Sequence, residues 1–421
     1  MINSINKNIK IFMLIFNKIG SIKIITPLIF LIILSIFFFI PIKIGQLGVR
    51  IDDILILFCI PILVLHTKYV VVEKYIISIL LFLFSVLISM IYGYLVMDVS
   101  FNSGDINEFI RYCKILLFAL LLGYISVTKL SNMTFKIFYY GSFYIIFVGY
   151  LQYFNPFGIG KYLSLLYTSE SQIYVAIEHE IKRITVTGSG PNDGAIIVAY
   201  FILFNFFSFL FTNRKRYLVL FLLLFTVLFF TQSRTVLIAT VFSLICIFFT
   251  LKGYWTKKIF LLIVISSGIV VLFPLFSYVF IGIQLFFEGE NNSISVRLEN
   301  AQIAYKVFLN SPIFGYGIAK FYFVDITMDS EWLSLISRFG LFGVITSISL
   351  LCYPFFLKKQ IEKISNNNLK IYYFTLLASC IIGVVVMLTN NFITGYQSFL
   401  PLILLMVLSV RLFNKAKKCI Y

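Results

Sequence analysis

The sequence predicts an all-α fold, a polytopic transmembrane helix bundle of about 12 spans with two long outer loops that contain short surface helices. Three observations carry that prediction. Of 421 residues, 61% are hydrophobic and only 12% charged, with a mean hydropathy of +1.01. A soluble domain lies nearer half apolar and a quarter charged. Apolar runs of membrane-spanning length recur along the chain, and Lys and Arg gather in alternate connections. The 9 Pro and 23 Gly exclude collagen-like and low-complexity classes.

A spanning helix needs roughly 20 apolar residues, fewer where neighbours pack around it. Twelve segments meet that description, near residues 24–42, 53–67, 75–96, 112–128, 135–154, 192–212, 217–231, 235–251, 259–283, 332–357, 371–389 and 396–412. The seventh and eighth are joined only by Thr231-Gln232-Ser233-Arg234-Thr235. As one helix they would measure about 50 Å, too long for a hydrocarbon core of about 30 Å, so they are read as a hairpin. The first segment runs into Pro41-Ile42-Lys43 without a small-residue cleavage signal and is read as a retained span. Residues 1–421 form a single integral membrane domain in this reading.

Cytoplasmic loops retain Lys and Arg. With the N-terminus, every second loop and the C-terminus inside, 22 of the 34 Lys and Arg fall on that side, accompanied by only Glu73 and Glu362 of the 17 acids. Both termini are therefore expected in the cytoplasm. The net charge of +17 expresses this sidedness, and no nucleic-acid partner is expected. Six cysteines show no metal-ligand spacing and none sits in a long polar loop, so neither a zinc site nor a disulfide framework is indicated, and no cofactor is expected. No charged residue lies near the middle of a span, which argues against a proton relay and puts the chemistry at the membrane ends.

The two long loops, about 155–191 and 288–331, both fall outside. Long loops in a compact protein are functional or disordered, and the regular apolar spacing here favours order. Within the second, Leu298, Ala301, Ala304 and Phe308 recur at helical spacing over Arg297–Asn310, with Ser295 placed to cap the helix and Pro312 after its end. It reads as a helix along the membrane surface, or one that covers the bundle.

Outer cations are few: Lys161, Lys182, Arg183, Arg234, Arg297, Lys306 and Lys320, with Arg338 just inside the tenth span. Arginine's rigid fork of donors matches phosphate geometry and stays charged when desolvated. Convergence on a lipid head group and pairing with nearby acids are both open for each. The stretch Thr187-Gly188-Ser189-Gly190-Pro191-Asn192-Asp193-Gly194 lacks a P-loop's Lys-Ser/Thr pair, which argues against ATP. It would open a helix with Asn192 or Asp193 as cap and present N–H groups suited to phosphate, or act as a capped turn. In the second loop, Ser311-Pro312-Ile313-Phe314-Gly315-Tyr316-Gly317 makes a turn before Asp325, Asp329 and Glu331. A carboxylate there suits a general base, and a solvated loop end with Trp332 as interface anchor is the other reading. His179 is the lone outer histidine, and no His/Asp/Ser arrangement can be assembled.

In combination these features resemble the bacterial O-antigen polymerase family (Wzy type), within the broader polymerase and ligase superfamily. The resemblance rests on Arg183 with Gly194 after ten intervening residues, Gly190-Pro191-Asn192, Ser233-Arg234, Arg297 leading to Pro312, Gly315 and Gly317, and Asp329 to Gly343. It spans residues 183–343, and the order of the pieces carries it. Position 308 is Phe where the family often repeats a Gly. Met328-Asp329-Ser330-Glu331-Trp332 lacks the histidine that the ligases carry there, which favours polymerase over ligase.

The resemblance implies a metal-independent glycosyltransferase of the bacterial inner membrane that polymerises undecaprenyl-diphosphate-linked repeat units at the periplasmic face. Arg183, Arg234 and Arg297, with Asn192 and Gly194, would hold the diphosphate, and Glu331 or Asp329 would serve as base. Donor and acceptor are lipid-linked saccharides in the bilayer, and a chain-length regulator is a further partner under this reading. The alternatives are an O-antigen ligase and a lipid-linked oligosaccharide flippase or other transporter. A transporter would place polar sites near the midplane, unlike these uncharged interiors.

Overall fold

A computed structural model of the chain describes residues 21–38, 42–44, 47–49, 51–65, 73–100, 102–169, 172–173, 183–251, 253, 256, 259, 292–320, 322–323 and 330–418. Its helices are α1 Ser21–Phe38, α2 Ile51–Leu65, α3 Tyr75–Val96, α4 Ser103–Gly123, α5 Val127–Phe154, α6 Ile159–Tyr167, α7 Pro191–Thr212, α8 Lys215–Phe230, α9 Arg234–Thr250, α10 Asn292–Asn310, α11 Glu331–Ile361, α12 Asn367–Val386 and α13 Tyr396–Lys418. Eleven of the twelve predicted segments coincide with a described helix, and the twelfth, 259–283, lies outside the described residues except for Ile259. Five described helices (α3, α7, α11, α12 and α13) are long and apolar enough to cross a membrane on their own, or six spans if α4 and α5, bent by 117°, count as one.

The described architecture is helical, with one short ribbon added. Between α1 and α2 the strands β1 Ile42–Ile44 and β2 Leu47–Val49 pair antiparallel, Ile42 opposite Val49 and Ile44 opposite Leu47. Three β-branched residues, Ile42, Ile44 and Val49, together with Leu47 alternate with Lys43 and Gly48, which is enough for a short ribbon.

α7 is the axis of the bundle. It is apolar on every face, every residue from Gly194 to Leu210 is buried, and α5, α8, α9, α12 and α13 pack around it. A helix without a polar face has nowhere to go but a core. Its aromatics fill that core: Phe204 stacks on Phe138 at 4.7 Å, and Phe206 meets Phe221 and Phe248 at 5.5 and 5.4 Å. Asn205 ties α7 to α5 by donating to Ser142 Oγ at 2.7 Å.

α4 begins nine residues before the apolar run that predicted it. Asn102 caps it by accepting from the Gly104 N–H, and its polar first turns are matched by protein. Buried Asp105 accepts from the Lys320 backbone N–H at 2.9 Å and from Tyr94 Oη at 3.2 Å, and Glu108 pairs with Arg338 at 2.9 Å. Polar groups satisfied in this way let a helix run past its hydrophobic stretch.

α11 is broken at Gly340, which has φ 59° and ψ −162°. The predicted Ser311–Gly317 turn is docked into that break. Tyr316 and Gly317 donate to the carbonyls of Ser337 and Arg338 at 3.2 and 2.7 Å, while Leu341 and Phe342 donate to Pro312 and Ile313 at 2.9 and 3.1 Å. The groups freed by the break are thus re-satisfied by the loop, as buried backbone requires. A Cβ on Gly340 would sit 2.4 Å from the Ile313 carbonyl oxygen, and one on Gly315 2.5 Å from Arg338 backbone.

α10 contains the predicted Arg297–Asn310 helix but starts at Asn292, so Ser295 lies inside it rather than capping it. It packs on α11, with Val307 in a small apolar cluster with Tyr316, Ala319 and Phe323.

Candidate functional site

Four chain segments meet at the membrane end predicted to face outward. The first is the loop from Arg183 to Gly190. Gln152 clamps its Val186 by both backbone groups, accepting at 2.7 Å and donating at 2.9 Å, which holds that residue at φ 51°. Ile184 donates to the Phe230 carbonyl at 3.3 Å, and Gln397 accepts from the Ser189 N–H at 3.3 Å. Rigid supports of this kind are what a binding loop needs to present a side chain reproducibly.

The second segment is the start of α7. Gly190, extended, is the N-cap and Pro191 occupies the first helical position, so the expected caps Asn192 and Asp193 are otherwise employed. Asp193 accepts from Ser189 Oγ. Asn192 points across the site. Its Oδ1 accepts from Arg183 Nη2 at 3.3 Å and from Ser233 Oγ at 2.9 Å, while its Nδ2 donates to Asn390 Oδ1 at 2.7 Å.

Gly194 has a different part from the phosphate contact expected of it. Its N–H bonds the Gly190 carbonyl at 2.9 Å, and a Cβ there would stand 2.0 Å from the Thr185 carbonyl oxygen. Gly188 approaches equally closely, a Cβ meeting the Gly194 nitrogen at 2.2 Å. The ten-residue spacing between Arg183 and Gly194 is therefore the length of a loop that folds back onto the first turn of α7, and Gly194 leaves room for it.

The third segment is the turn between α8 and α9, where Gln232 takes φ 55° and Ser233 is the N-cap of α9. The Thr231 carbonyl accepts from Arg183 Nε at 3.4 Å. Arg234, half-buried, opens α9 directly after the Ser233 that bonds Asn192. Arg183, Asn192 and the Ser233-Arg234 pair are thus brought together from segments distant in sequence. The Thr231 carbonyl and Asn192 Oδ1 both hold the Arg183 fork.

The fourth segment, Thr389–Ser398, went unnoticed in the sequence. Thr389 donates to Thr235 Oγ1 at 2.9 Å, Asn390 receives Asn192, and Gln397 reaches Ser189 and the Thr187 carbonyl. Glu331 holds this segment in place. Fully buried, its two oxygens accept the backbone N–H groups of Phe392, Ile393 and Thr394 at 2.6, 2.8 and 2.6 Å. A carboxylate engaged in this way has its lone pairs occupied and no approach for a substrate, so its geometry is that of an anchor and not of a base.

Arg297 is exposed on α10. Asp329, Asp325, Lys182 and His179 lie outside the described residues. Arg338 is engaged by Glu108 and lies 5.6 Å over the Phe323 ring, which makes it a brace for the 316–323 loop. Trp332 donates its indole N–H to the Val384 carbonyl at 3.2 Å, fastening α11 to α12.

A family model described as O-antigen ligase matches residues 218–348, about a third of the chain. The match takes in Ser233-Arg234, Arg297, the loop docked at Gly340 and Glu331, while Arg183, Asn192 and Gly194 precede it. No curated protein matches the chain.

Proposed function

We propose that this chain, whose residues 218–348 match a family model described as O-antigen ligase, is a member of the O-antigen polymerase/ligase superfamily and a polymerase of lipid-linked saccharide repeat units. It would work at the periplasmic face of the bacterial inner membrane, with both termini in the cytoplasm. The observation that carries the reading is the meeting of Arg183, Asn192 and Ser233-Arg234 in one hydrogen-bonded cluster at the outward end of the bundle.

In the proposed reaction the donor is a growing chain on undecaprenyl diphosphate and the acceptor a single lipid-linked repeat unit. An acceptor hydroxyl oxygen bonds to the donor's anomeric carbon, the bond from that carbon to the diphosphate oxygen breaks, and the hydroxyl proton passes to a base. Charge accumulates on the departing diphosphate. Arg183 and Arg234 hold it, with Asn192 orienting the Arg183 fork, and Arg297 reaches it from the exposed surface of α10. Donors fixed in advance where charge develops contribute most when the site is partly dry. Asp329 is the proposed base, two residues before the anchoring Glu331. Gly194 and Glu331 position the site without touching substrate. The bilayer supplies both lipid-linked substrates, and a chain-length regulator is the expected protein partner.

The absence of histidine from Met328–Trp332 supports polymerase over ligase, and the uncharged span interiors disfavour a flippase. The surface glycan of a deletion strain tests this. Single repeat units capped onto the acceptor are the expected result. Loss of all capped units would identify a ligase, and repeat units stranded in the inner leaflet a flippase.

A further inference from the structure

The opposite end of the bundle holds a second feature, unconnected with the diphosphate cluster. A groove of about 830 Å³ runs between α1 and α5. On α5 it is lined by Lys129, Met133, Lys136, Tyr140 and Tyr144, spaced at the i, i+4, i+7 interval that places them on one helix face. From α1 it receives Pro27, Phe30, Leu34 and Phe38. Fifteen residues of α5 at 1.5 Å each make it about 22 Å long, within a hydrocarbon core of about 30 Å.

Its two ends differ. Toward the outward side it is closed: Phe38 packs edge-on against Tyr144 at 5.3 Å, and Tyr167 bonds both Tyr144 Oη at 2.6 Å and the Phe38 carbonyl at 3.0 Å. Toward the predicted cytoplasmic side Lys129 and Lys136 are both exposed, Lys129 reaching Thr26 Oγ1 at 3.4 Å. Neither α1 nor α5 contains an acidic residue, so nothing on the two walls neutralises the pair.

We infer that this groove binds an anionic glycerophospholipid of the cytoplasmic leaflet, its phosphate against Lys129 and Lys136 and one acyl chain along the Phe30–Leu34–Ile137 floor. Charge complementarity selects the head group, since two lysines without a carboxylate favour a net negative lipid over a zwitterionic one. The closed outward end limits the chain to the length of the groove, about 22 Å. Lys136 lies about 10 Å farther from the predicted cytoplasmic side than Lys129 and meets the same head group through its flexible stem, which lies along the apolar wall.

Native mass spectrometry of the full-length protein in detergent, supplied with equal phosphatidylglycerol and phosphatidylcholine, reads the preference. The expected result is retention of phosphatidylglycerol by about tenfold, reduced to near parity in the Lys129→Gln/Lys136→Gln double variant and kept in the Lys129→Arg/Lys136→Arg variant. Leu34→Trp, which fills the acyl slot without altering charge, is expected to lose retention of both lipids. Equal retention of the two lipids by the unaltered protein, or an unchanged preference in the Gln variant with a normal melting profile, would overturn the proposal. So would preferential retention of undecaprenyl phosphate when all three lipids compete.

Discussion

Replacing Glu331 by Gln separates an anchor from a base. The carboxylate accepts three backbone N–H groups while fully buried. A Gln side chain keeps one acceptor oxygen and sets an NH2 group against backbone donors, leaving at least one buried N–H unpaired. Each such loss costs about 1–3 kcal/mol, and a charge-assisted bond lies toward the upper end. Glu331→Ala, which removes all three, is therefore expected to cost roughly 3–9 kcal/mol, comparable with the roughly 5–15 kcal/mol that holds a domain folded. Thr389–Ser398 would then loosen, and with it Asn390 and Gln397. Melting of the purified protein in detergent should fall for Glu331→Gln and further for Glu331→Ala. Polymer in cells should fall in step with the amount of folded protein and recover partly at lower growth temperature. A Glu331→Gln protein that melts normally yet makes no polymer at any temperature would refute the anchoring role and restore the carboxylate as base.

Four further outcomes follow from the same geometry. Arg183→Ala should lower polymerisation about a hundredfold, a loss of about 3 kcal/mol in the transition state, with membrane insertion unchanged; chain-length profiles and membrane blots read both. Asn390→Ala, which leaves Asn192 without its 2.7 Å partner, should shorten chains by about tenfold in rate, with the arginines still present. Gly340→Ala should destabilise by roughly 1–3 kcal/mol or more, since φ 59° with ψ −162° and the Ile313 carbonyl both oppose a Cβ; a melting curve checks it. A double-mutant cycle on Glu108→Gln and Arg338→Gln should give a coupling of roughly 1–3 kcal/mol, and additivity would count against the pair as the brace of the 316–323 loop.

What the sequence made legible follows from the physics of each feature. Apolar runs found α3, α7 and α9 nearly to the residue because the bilayer imposes a length on every span. The Thr231–Thr235 break was readable for the same reason, as a continuous helix there would overrun the membrane. The loop before α7 was recognisable by its glycines, yet their purpose was not. Gly194 reads in one dimension as a phosphate-binding amide, and only the approach of Thr185 shows it to be a packing position. The helix break at Gly340 was hidden because Leu341 and Phe342 continue the apolar pattern, and its partner, the 311–317 turn, is a tertiary neighbour. Asn390 and Gln397 carry no local signal at all. Each is an ordinary amide in a short connection until folding sets it beside Asn192 or Ser189. Glu331 stood out correctly as unusual, but burial and three donors decide its role, and neither is written in the acidic run that drew notice to it.

Binding of a radiolabelled undecaprenyl diphosphate to the purified full-length protein, compared between the natural chain and Arg183→Ala/Arg234→Ala, tests the central claim most directly. The cluster at the end predicted to face outward implies an affinity weakened by about a hundredfold or more in the double variant with an unaltered melting profile. Equal affinity in the two proteins would contradict it and remove the diphosphate from this site.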